Sequence, residues 1–160
     1  MILIAHRGLI NGPSKELENS PSSIDLAFSK GYHCEIDVWH TYGKWFLGHD
    51  EPTYRIDYEF LEQPNLWIHA KNLDALYVLG ANRSLNFFWH QEDDYTLTSQ
   101  GDIWAYPGKP LNKDCVQVMP EWKDPEFKNL NSNCLAICSD WVERIRELKS
   151  EEHTSELQSH

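Results

Sequence analysis

Side chains that can transfer protons or hold charge recur at the ends of short apolar runs in this chain. The first run, residues 2–5, is followed directly by His6 and Arg7. A short apolar run of this kind predicts a buried strand, so both side chains emerge where that strand ends. An imidazole that titrates near neutral pH beside a fixed cation suits an anionic, phosphorylated substrate.

Two carboxylates stand two residues apart in a second apolar run. Glu35 and Asp37 flank Ile36, and because side chains alternate along a strand, both point to the same face. Converging carboxylates repel each other unless a cation lies between them, and their hard oxygen atoms suit Mg²⁺ or Ca²⁺. The alternative is a solvated edge strand with two surface acids, but the apolar neighbours Ile36 and Val38 favour partial burial and hence a metal site.

Two further apolar runs lead into histidine. His49 follows residues 45–47, and His69 lies two residues before Lys71 in the next run. Imidazole can accept or donate a proton at neutral pH. His6 and His49, at the ends of two different runs, are therefore candidates for acid–base catalysis, with the roles of acid and base left open.

The chain contains four ordered segments that resemble the signature of the glycerophosphodiester phosphodiesterase family, within the phospholipase C-like phosphodiesterase superfamily: His6-Arg7-Gly8, Glu18-Asn19, Glu35-Ile36-Asp37 and His49-Asp50. The resemblance is strong over residues 1–71 and weak beyond them. It implies a parallel (β/α)₈ barrel that hydrolyses a phosphodiester with a bound divalent cation. It also implies that His6 and His49 do the acid–base work, and that Glu18 is either a further metal ligand or a partner for Arg7.

The chain departs from this family at one position of the metal site. The family pattern there is Glu-x-Lys, whereas this chain has His69-Ala70-Lys71. Three outcomes are open: His69 is a ligand, which favours Mn²⁺, Zn²⁺ or Mg²⁺ over Ca²⁺; it contacts the substrate beside a metal held by Glu35, Asp37 and Glu18; or the site binds metal weakly.

Other side chains are predicted to hold the substrate. Arg7 suits a non-bridging phosphate oxygen because its guanidinium is a planar fork, the alternative being an ion pair with Glu18 or Glu35. Lys71 would neutralise phosphate charge in the transition state. His90 would line the pocket at the end of the fifth run, and Trp104, or alternatively Tyr106, would form an aromatic wall.

Secondary candidates follow two strand ends and one helix start. Glu121 and Asp140 stand at the tips of the last two predicted strands and are candidates to touch a polar head group. Asn19 precedes Ser20-Pro21 and is a candidate N-cap for the helix that follows.

The elements that must position these residues alternate along the chain. The pattern predicts helices over residues 22–30, 57–62, 73–82 and 141–148, and eight strands near residues 2–6, 33–39, 45–49, 66–71, 86–90, 102–106, 115–119 and 134–139. Eight strands match a (β/α)₈ barrel, which usually takes about 250 residues. We therefore expect a barrel reduced in size, with several helices shortened or lost, in one domain over residues 1–149, followed by a disordered or non-native tail at 150–160. The alternative is that the short link at residues 41–44 forms a hairpin, which would break the strictly parallel order of the strands.

Composition limits the partners and the compartment. The net charge of −11 argues against a nucleic-acid surface, because phosphate backbones are bound through an excess of Lys and Arg. No apolar stretch approaches the roughly 20 residues that span a bilayer, and no signal peptide is apparent. Four cysteines without a CxxC pair are typical of buried free thiols, so we expect a cytoplasmic protein. Apolar surface left by missing helices is one reason to expect a homodimer.

Together these patterns predict an enzyme, a metal-dependent phosphodiester hydrolase with a small glycerophosphodiester-like substrate and a two-histidine mechanism. Two alternatives stay open at this point. One is a lyase or transferase that leaves a cyclic phosphate as product, and the other is a non-catalytic protein that binds sugar or lipid phosphates.

Overall fold

A computed structural model describes residues 1–158. Its strands are β1 (Ile2–His6), β2 (His33–Thr41), β3 (Lys44–Leu47), β4 (Tyr54–Ile56), β5 (Leu66–Ala70), β6 (Phe87–Phe88), β7 (Tyr95–Leu97), β8 (Ile103–Ala105), β9 (Cys115–Val118) and β10 (Ala136–Ser139). Its helices are α1 (Pro21–Ser29), α2 (Tyr58–Leu61), α3 (Leu73–Leu79) and α4 (Val142–Gln158), and a single 3₁₀ turn covers Pro120–Trp122.

The strands form one mixed, curved sheet. Its parallel part runs in the order β6-β5-β2-β1-β10-β9-β8, and β7 adds to β8 in the antiparallel sense. Strands β3 and β4 extend antiparallel from the second half of β2. Because the parallel strands all point the same way, their carboxyl ends meet at one rim.

The predicted (β/α)₈ barrel is therefore wrong: residues 1–158 form a mixed half-barrel of ten strands with four α-helices. The short link between β2 and β3 is the main reason. Only Tyr42 and Gly43 join these strands, both with positive φ (53° and 71°), which is the geometry of a two-residue hairpin turn. A parallel crossover needs about a dozen residues or more, so β3 has to return antiparallel.

The local elements agree better with expectation than the architecture does. Each of the eight predicted strand regions contains a strand, and each predicted helix is present within a few residues, although α4 is longer than expected. The short strands β4 and β7 were not predicted. They occupy segments where a full barrel would have helical connections.

Two apolar layers lie on the two faces of the sheet. The larger one packs the outer face of β1, β2 and β5 against α1, α3 and the β3–β4 hairpin. The inner face is filled by aromatic side chains, with the ring centroids of Phe88 and Trp104 4.7 Å apart and those of Trp67 and Trp104 6.0 Å apart. Because these aromatic side chains fill the inner face, the open part of the half-barrel is the rim at the carboxyl ends of the strands.

Helix α4 packs beside β1 and then continues into the segment predicted as a tail. Its described part runs to Gln158, and the last two residues of the predicted tail lie outside the described residues. The division into a domain and a tail stays a prediction. Within residues 1–158, no helix is both long and apolar enough to cross a membrane.

Candidate metal and acid–base site

Two neighbouring strands bring three potential metal ligands together at the rim. In the β2–β5 register Asp37 lies directly opposite His69, and Glu35 precedes Asp37 by two residues on the same face. One ligand atom from each of these three residues lies within 4.8 Å of the other two. Both carboxylates are buried, and the imidazole is 14% exposed.

The orientation of His69 fits a metal ligand. Its Nε2 lies 3.1 Å from the carbonyl oxygen of His90, and because a carbonyl can only accept, Nε2 carries a hydrogen and donates it. Its Nδ1 then faces Asp37 Oδ1 at 3.2 Å and Glu35 Oε2 at 3.9 Å. A proton or a cation has to stand between Nδ1 and these carboxylates, and a histidine whose second N–H donates to a backbone carbonyl is the usual arrangement of a metal-bound imidazole.

A buried asparagine holds Asp37 in place. Asn19 donates from Nδ2 to Asp37 Oδ2 at 2.9 Å and accepts the backbone N–H of Asp37 at 3.0 Å. The prediction that Asn19 caps α1 is wrong, because the side chain of Ser20 accepts the N–H of Ser23 there. Asn19 has φ 59° and is fully buried, a left-handed conformation that asparagine tolerates better than most residues.

Arg7 is engaged by carboxylates rather than free. Its Nη1 donates to Glu18 Oε2 at 2.5 Å, its Nε lies 3.6 Å from Asp37 Oδ2, and its backbone N–H donates to Glu35 Oε1 at 3.1 Å. Glu18 is accordingly placed as a partner for Arg7, outside the three-residue cluster found among the described residues. The geometry matches the ion-pair alternative for Arg7, whereas its role in gripping phosphate stays a prediction.

The two buried carboxylates have pKa values displaced in opposite directions. Burial, followed by the charge of Asp37, raises the pKa of Glu35. Burial also opposes ionisation of Asp37, but hydrogen bonds from His69 and Asn19 and the charges of His69 and Arg7 outweigh it and lower the pKa of Asp37. Such a pair favours binding of a positive charge, which relieves the repulsion between the two anions.

His6 is oriented by a chain of buried polar groups. Its Nδ1 lies 2.7 Å from Asp140 Oδ1, and because a carboxylate accepts, Nδ1 donates and Nε2 is left toward the cavity. Glu121 in turn accepts the backbone N–H of Asp140 at 3.0 Å and the hydroxyl of Ser139 at 2.9 Å. Burial lowers the pKa of His6, but the hydrogen bond to Asp140 and the charges of Glu35 and Asp140 outweigh it, so the net effect is a raised pKa.

His49 reaches the same cavity from the end of the hairpin strand β3. The backbone of Gly48 just before it donates to the Asp37 carbonyl at 3.1 Å and accepts Trp39 Nε1–H at 2.7 Å. A Cβ at Gly48 would lie 2.0 Å from the carbonyl oxygen of Glu51, so only glycine fits this close approach. His49 is half-exposed, and its Nδ1 lies 2.8 Å from Asp50 Oδ1.

One cavity of about 830 Å³ collects nearly all the predicted site residues. They are His6, Arg7, Glu35, Asp37, His49, His69, Lys71, His90 and Trp104. Glu18 is the predicted site residue that does not line it. Trp104 is 4% exposed, so most of its surface packs in the inner apolar layer. Lys71 also lines the cavity, and the ion pairs of the described side chains do not include it.

The histidines of the cavity fall into two orientations. His6, His49 and His90 each direct Nδ1 at an aspartate, namely Asp140, Asp50 and Asp93, which leaves Nε2 for proton transfer or hydrogen bonding. His69 has the opposite arrangement, with Nε2 tied to a carbonyl and Nδ1 toward the carboxylates. The geometry thus separates one ligand-like imidazole from three that suit acid–base or substrate contacts.

Sequence reasoning did not assign the partner of His6. Asp140 was considered only as a head-group contact, and the signal that marks it is an acidic residue directly after the buried strand β10, which pairs with β1. Trp122 also lines the cavity without having been predicted. No family model and no curated protein matches the chain, so the family resemblance stays a prediction.

Proposed function

We propose that this protein is a metal-dependent phosphodiester hydrolase that uses His6 and His49 as its acid–base pair. The observation that carries the proposal is the meeting, in one cavity, of the Glu35–Asp37–His69 cluster with two imidazoles, His6 and His49, whose Nε2 atoms make no hydrogen bond within the described part of the chain. The Nε2 of His6 lies 3.9 Å from Glu35 Oε1. The substrate is a small phosphodiester, and a glycerophosphodiester-like compound is the form that the family resemblance suggests.

The donor set suits a divalent cation of intermediate softness. Two carboxylates and one neutral imidazole suit Mn²⁺ or Zn²⁺, and Mg²⁺ remains compatible, whereas Ca²⁺ prefers six to eight oxygen ligands. When bound there, such a cation supplies positive charge that polarises a phosphoryl oxygen. Asn19 and Arg7 support the site by fixing the carboxylate of Asp37.

The protein side chains would bind the phosphate and transfer the protons. Lys71 binds a non-bridging phosphate oxygen and compensates its charge, a role supported by its position in the wall of the same cavity. One imidazole takes the proton of the attacking hydroxyl, from water or from a neighbouring group of the substrate. The other gives a proton to the leaving alkoxide, so the pair exchanges roles when the enzyme resets. Asp140 holds His6 in the tautomer that exposes Nε2.

A matched pair of histidine variants tests the proposal. The assay measures alcohol release from bis(4-nitrophenyl) phosphate and glycerophosphodiesters with Mg²⁺, Mn²⁺ or Zn²⁺, and again with EDTA. We expect His6→Ala to lower kcat at least about a hundredfold, the usual contribution of general acid–base catalysis. His40→Ala is the control, because His40 also directs Nδ1 at an aspartate, Asp74, but does not line the cavity.

Turnover that survives both EDTA and His6→Ala would contradict the proposal, as would the absence of turnover on every diester tested. Phosphorus NMR of the products distinguishes hydrolysis from formation of a cyclic phosphate. We assign the activity to a reducing, cytoplasmic compartment, a choice supported by four buried cysteines that form no disulfide.

A further inference from the structure

A second groove adjoins the proposed catalytic cavity. It has a volume of about 840 Å³ and lies between the 3₁₀ turn at Pro120–Trp122, the loop at residues 125–128 and the start of α4. Its walls carry three aromatic side chains, Trp122, Phe127 and Trp141. Of the residues predicted from the sequence to contact a ligand, Glu121 and Asp140, the candidates for a polar head group, line this groove.

The two most exposed tryptophans of the chain both lie here. All seven tryptophans fall within the described residues, and five of them are buried or half-buried, whereas Trp122 is 60% and Trp141 40% exposed. Trp141 is firmly seated, because its ring fills the space over Gly12, where a Cβ would lie 2.7 Å from it. Indole surface that is held rigid and left open to solvent is typical of a ligand-binding wall.

The groove and the catalytic cavity share a wall residue, because Trp122 lines both spaces. Asp140 lines the groove as well, and it is the residue that holds His6 at 2.7 Å. The groove is thus next to the position proposed for the phosphate beside His6, and one of the two alcohol groups of a bound diester would lie toward Trp122 and the groove.

The charges of the groove disfavour a cationic occupant. Both of its inner carboxylates are already satisfied, since Asp140 accepts from His6, and Glu121 accepts from Ser139 and from the backbone of Asp140. Glu126 pairs with Lys128 at 2.8 Å. A quaternary ammonium group would find aromatic faces here but no uncommitted carboxylate.

A long acyl chain fits no better. Charged side chains also line the groove, among them Glu126, Lys128 and Arg144, and an alkyl chain lying over them would remove water from them without replacing its hydrogen bonds. A sugar ring suits this mixture of aromatic and charged side chains. Its C–H face packs on an indole, and its hydroxyl groups bond to charged side chains at the rim, such as Arg144, which is half-exposed and lies 3.5 Å from Glu147 through Nη1.

We propose that the groove binds a neutral sugar ring, which makes the preferred substrate a phosphodiester with a glycosyl or similar cyclic polyol as one of its alcohols. The role of this ring as part of a substrate rests on the proposed function. Binding of the ring itself does not, because it requires neither the metal nor His6.

The test follows binding rather than turnover. The indole N–H resonances of ¹⁵N-labelled protein are recorded in EDTA while methyl α-glucopyranoside is added, with choline chloride and 1-hexanol as competing probes. We expect the sugar to shift the resonances of Trp122 and Trp141 and to leave that of buried Trp67 unchanged. Trp122→Ala should weaken sugar binding about two- to tenfold, the range expected for loss of one aromatic contact.

Two further variants make the test decisive. Trp141→Phe keeps an aromatic wall over Gly12 and should retain most of the affinity, and Tyr77→Ala removes an aromatic residue that is 80% exposed on α3 and should change nothing. The proposal is overturned if the sugar shifts neither resonance, if its affinity is unchanged by Trp122→Ala, or if only choline or hexanol produces the shifts. If the proposed hydrolase function is wrong but the sugar-binding proposal is right, the protein will bind the sugar and will not turn over any diester.

Discussion

The substitution Glu35→Gln is expected to stabilise the metal-free protein and to abolish its response to metal. The ligand oxygen atoms of Glu35 and Asp37 lie within 4.8 Å of each other, and two unit charges at that distance repel by about 3 to 4 kcal/mol at an effective dielectric of about 20. Attraction to His6 Nε2 and His69 Nδ1, each 3.9 Å from Glu35, offsets part of this repulsion.

The net effect is set by the balance of these charges with burial, which favours the neutral form of Glu35. A glutamine keeps an oxygen for the Arg7 backbone N–H that Glu35 accepts at 3.1 Å. We therefore expect the free energy of unfolding in EDTA to rise by about 1–2 kcal/mol. Wild-type protein, in contrast, should gain about 2.7 kcal/mol when free Mn²⁺ is a hundredfold above its Kd, so metal reverses the stability order.

Urea unfolding followed by tryptophan fluorescence, with EDTA and with Mn²⁺, measures both quantities. The control is Glu18→Gln, which removes a carboxylate from the ion pair with Arg7 rather than from the cluster. It should lower stability in EDTA and keep the response to Mn²⁺. A Glu35→Gln protein that is less stable than wild type in EDTA, or that still gains stability from Mn²⁺, would refute the reasoning.

Three other substitutions test the surroundings of the cluster. Asp140→Asn should lower kcat by about a hundredfold to ten-thousandfold, because the tautomer of His6 is no longer fixed, while titration calorimetry shows unchanged Mn²⁺ affinity; a change in affinity without a change in kcat would contradict this role. Asn19→Ala should cost about 3–5 kcal/mol in EDTA, measured by urea unfolding, since it strands the carboxylate and N–H of buried Asp37 and places alanine at a left-handed φ; a loss below about 1 kcal/mol would count against it. His69→Glu should bind Ca²⁺ at least about tenfold more tightly by calorimetry, because it adds an oxygen ligand and a charge, and an unchanged Ca²⁺ affinity would remove His69 from the site.

Short-range patterns were enough to find most of the site. Apolar runs identified the strands, and because parallel strands end at one rim, residues as distant in sequence as His6 and His69 were expected to meet. Both line the same cavity. The apolar run of β3 has the same pattern in either direction, so it does not determine how the strand pairs. The short link at residues 41–44 left a hairpin open as the alternative, and the two-residue turn at Tyr42-Gly43 makes β3 antiparallel.

The partners of the predicted residues were harder to find than the residues themselves. His6 and Asp140 are separated by 134 positions in the chain, and no local pattern connects them. Asparagine is a residue type that often caps helices, which is why Asn19 was predicted as a cap. Its buried hydrogen bonds to Asp37 depend instead on how α1 approaches β2. Contacts between side chains that are distant in sequence are thus the part of the site that the sequence pattern does not predict.

The register between β2 and β5 makes the Glu35–Asp37–His69 cluster sensitive to the insertion or deletion of an odd number of residues within either strand. Asp37 faces His69 because the two strands pair residue for residue from Cys34–Leu66 to Val38–Ala70. Loss of one residue from β5 would turn His69 outward and bring a neighbouring apolar side chain to the rim, since successive side chains alternate. Length changes in the loops before and after β5 leave this alternation intact, so homologues that keep the cluster should vary in those loops while β5 itself stays constant in length.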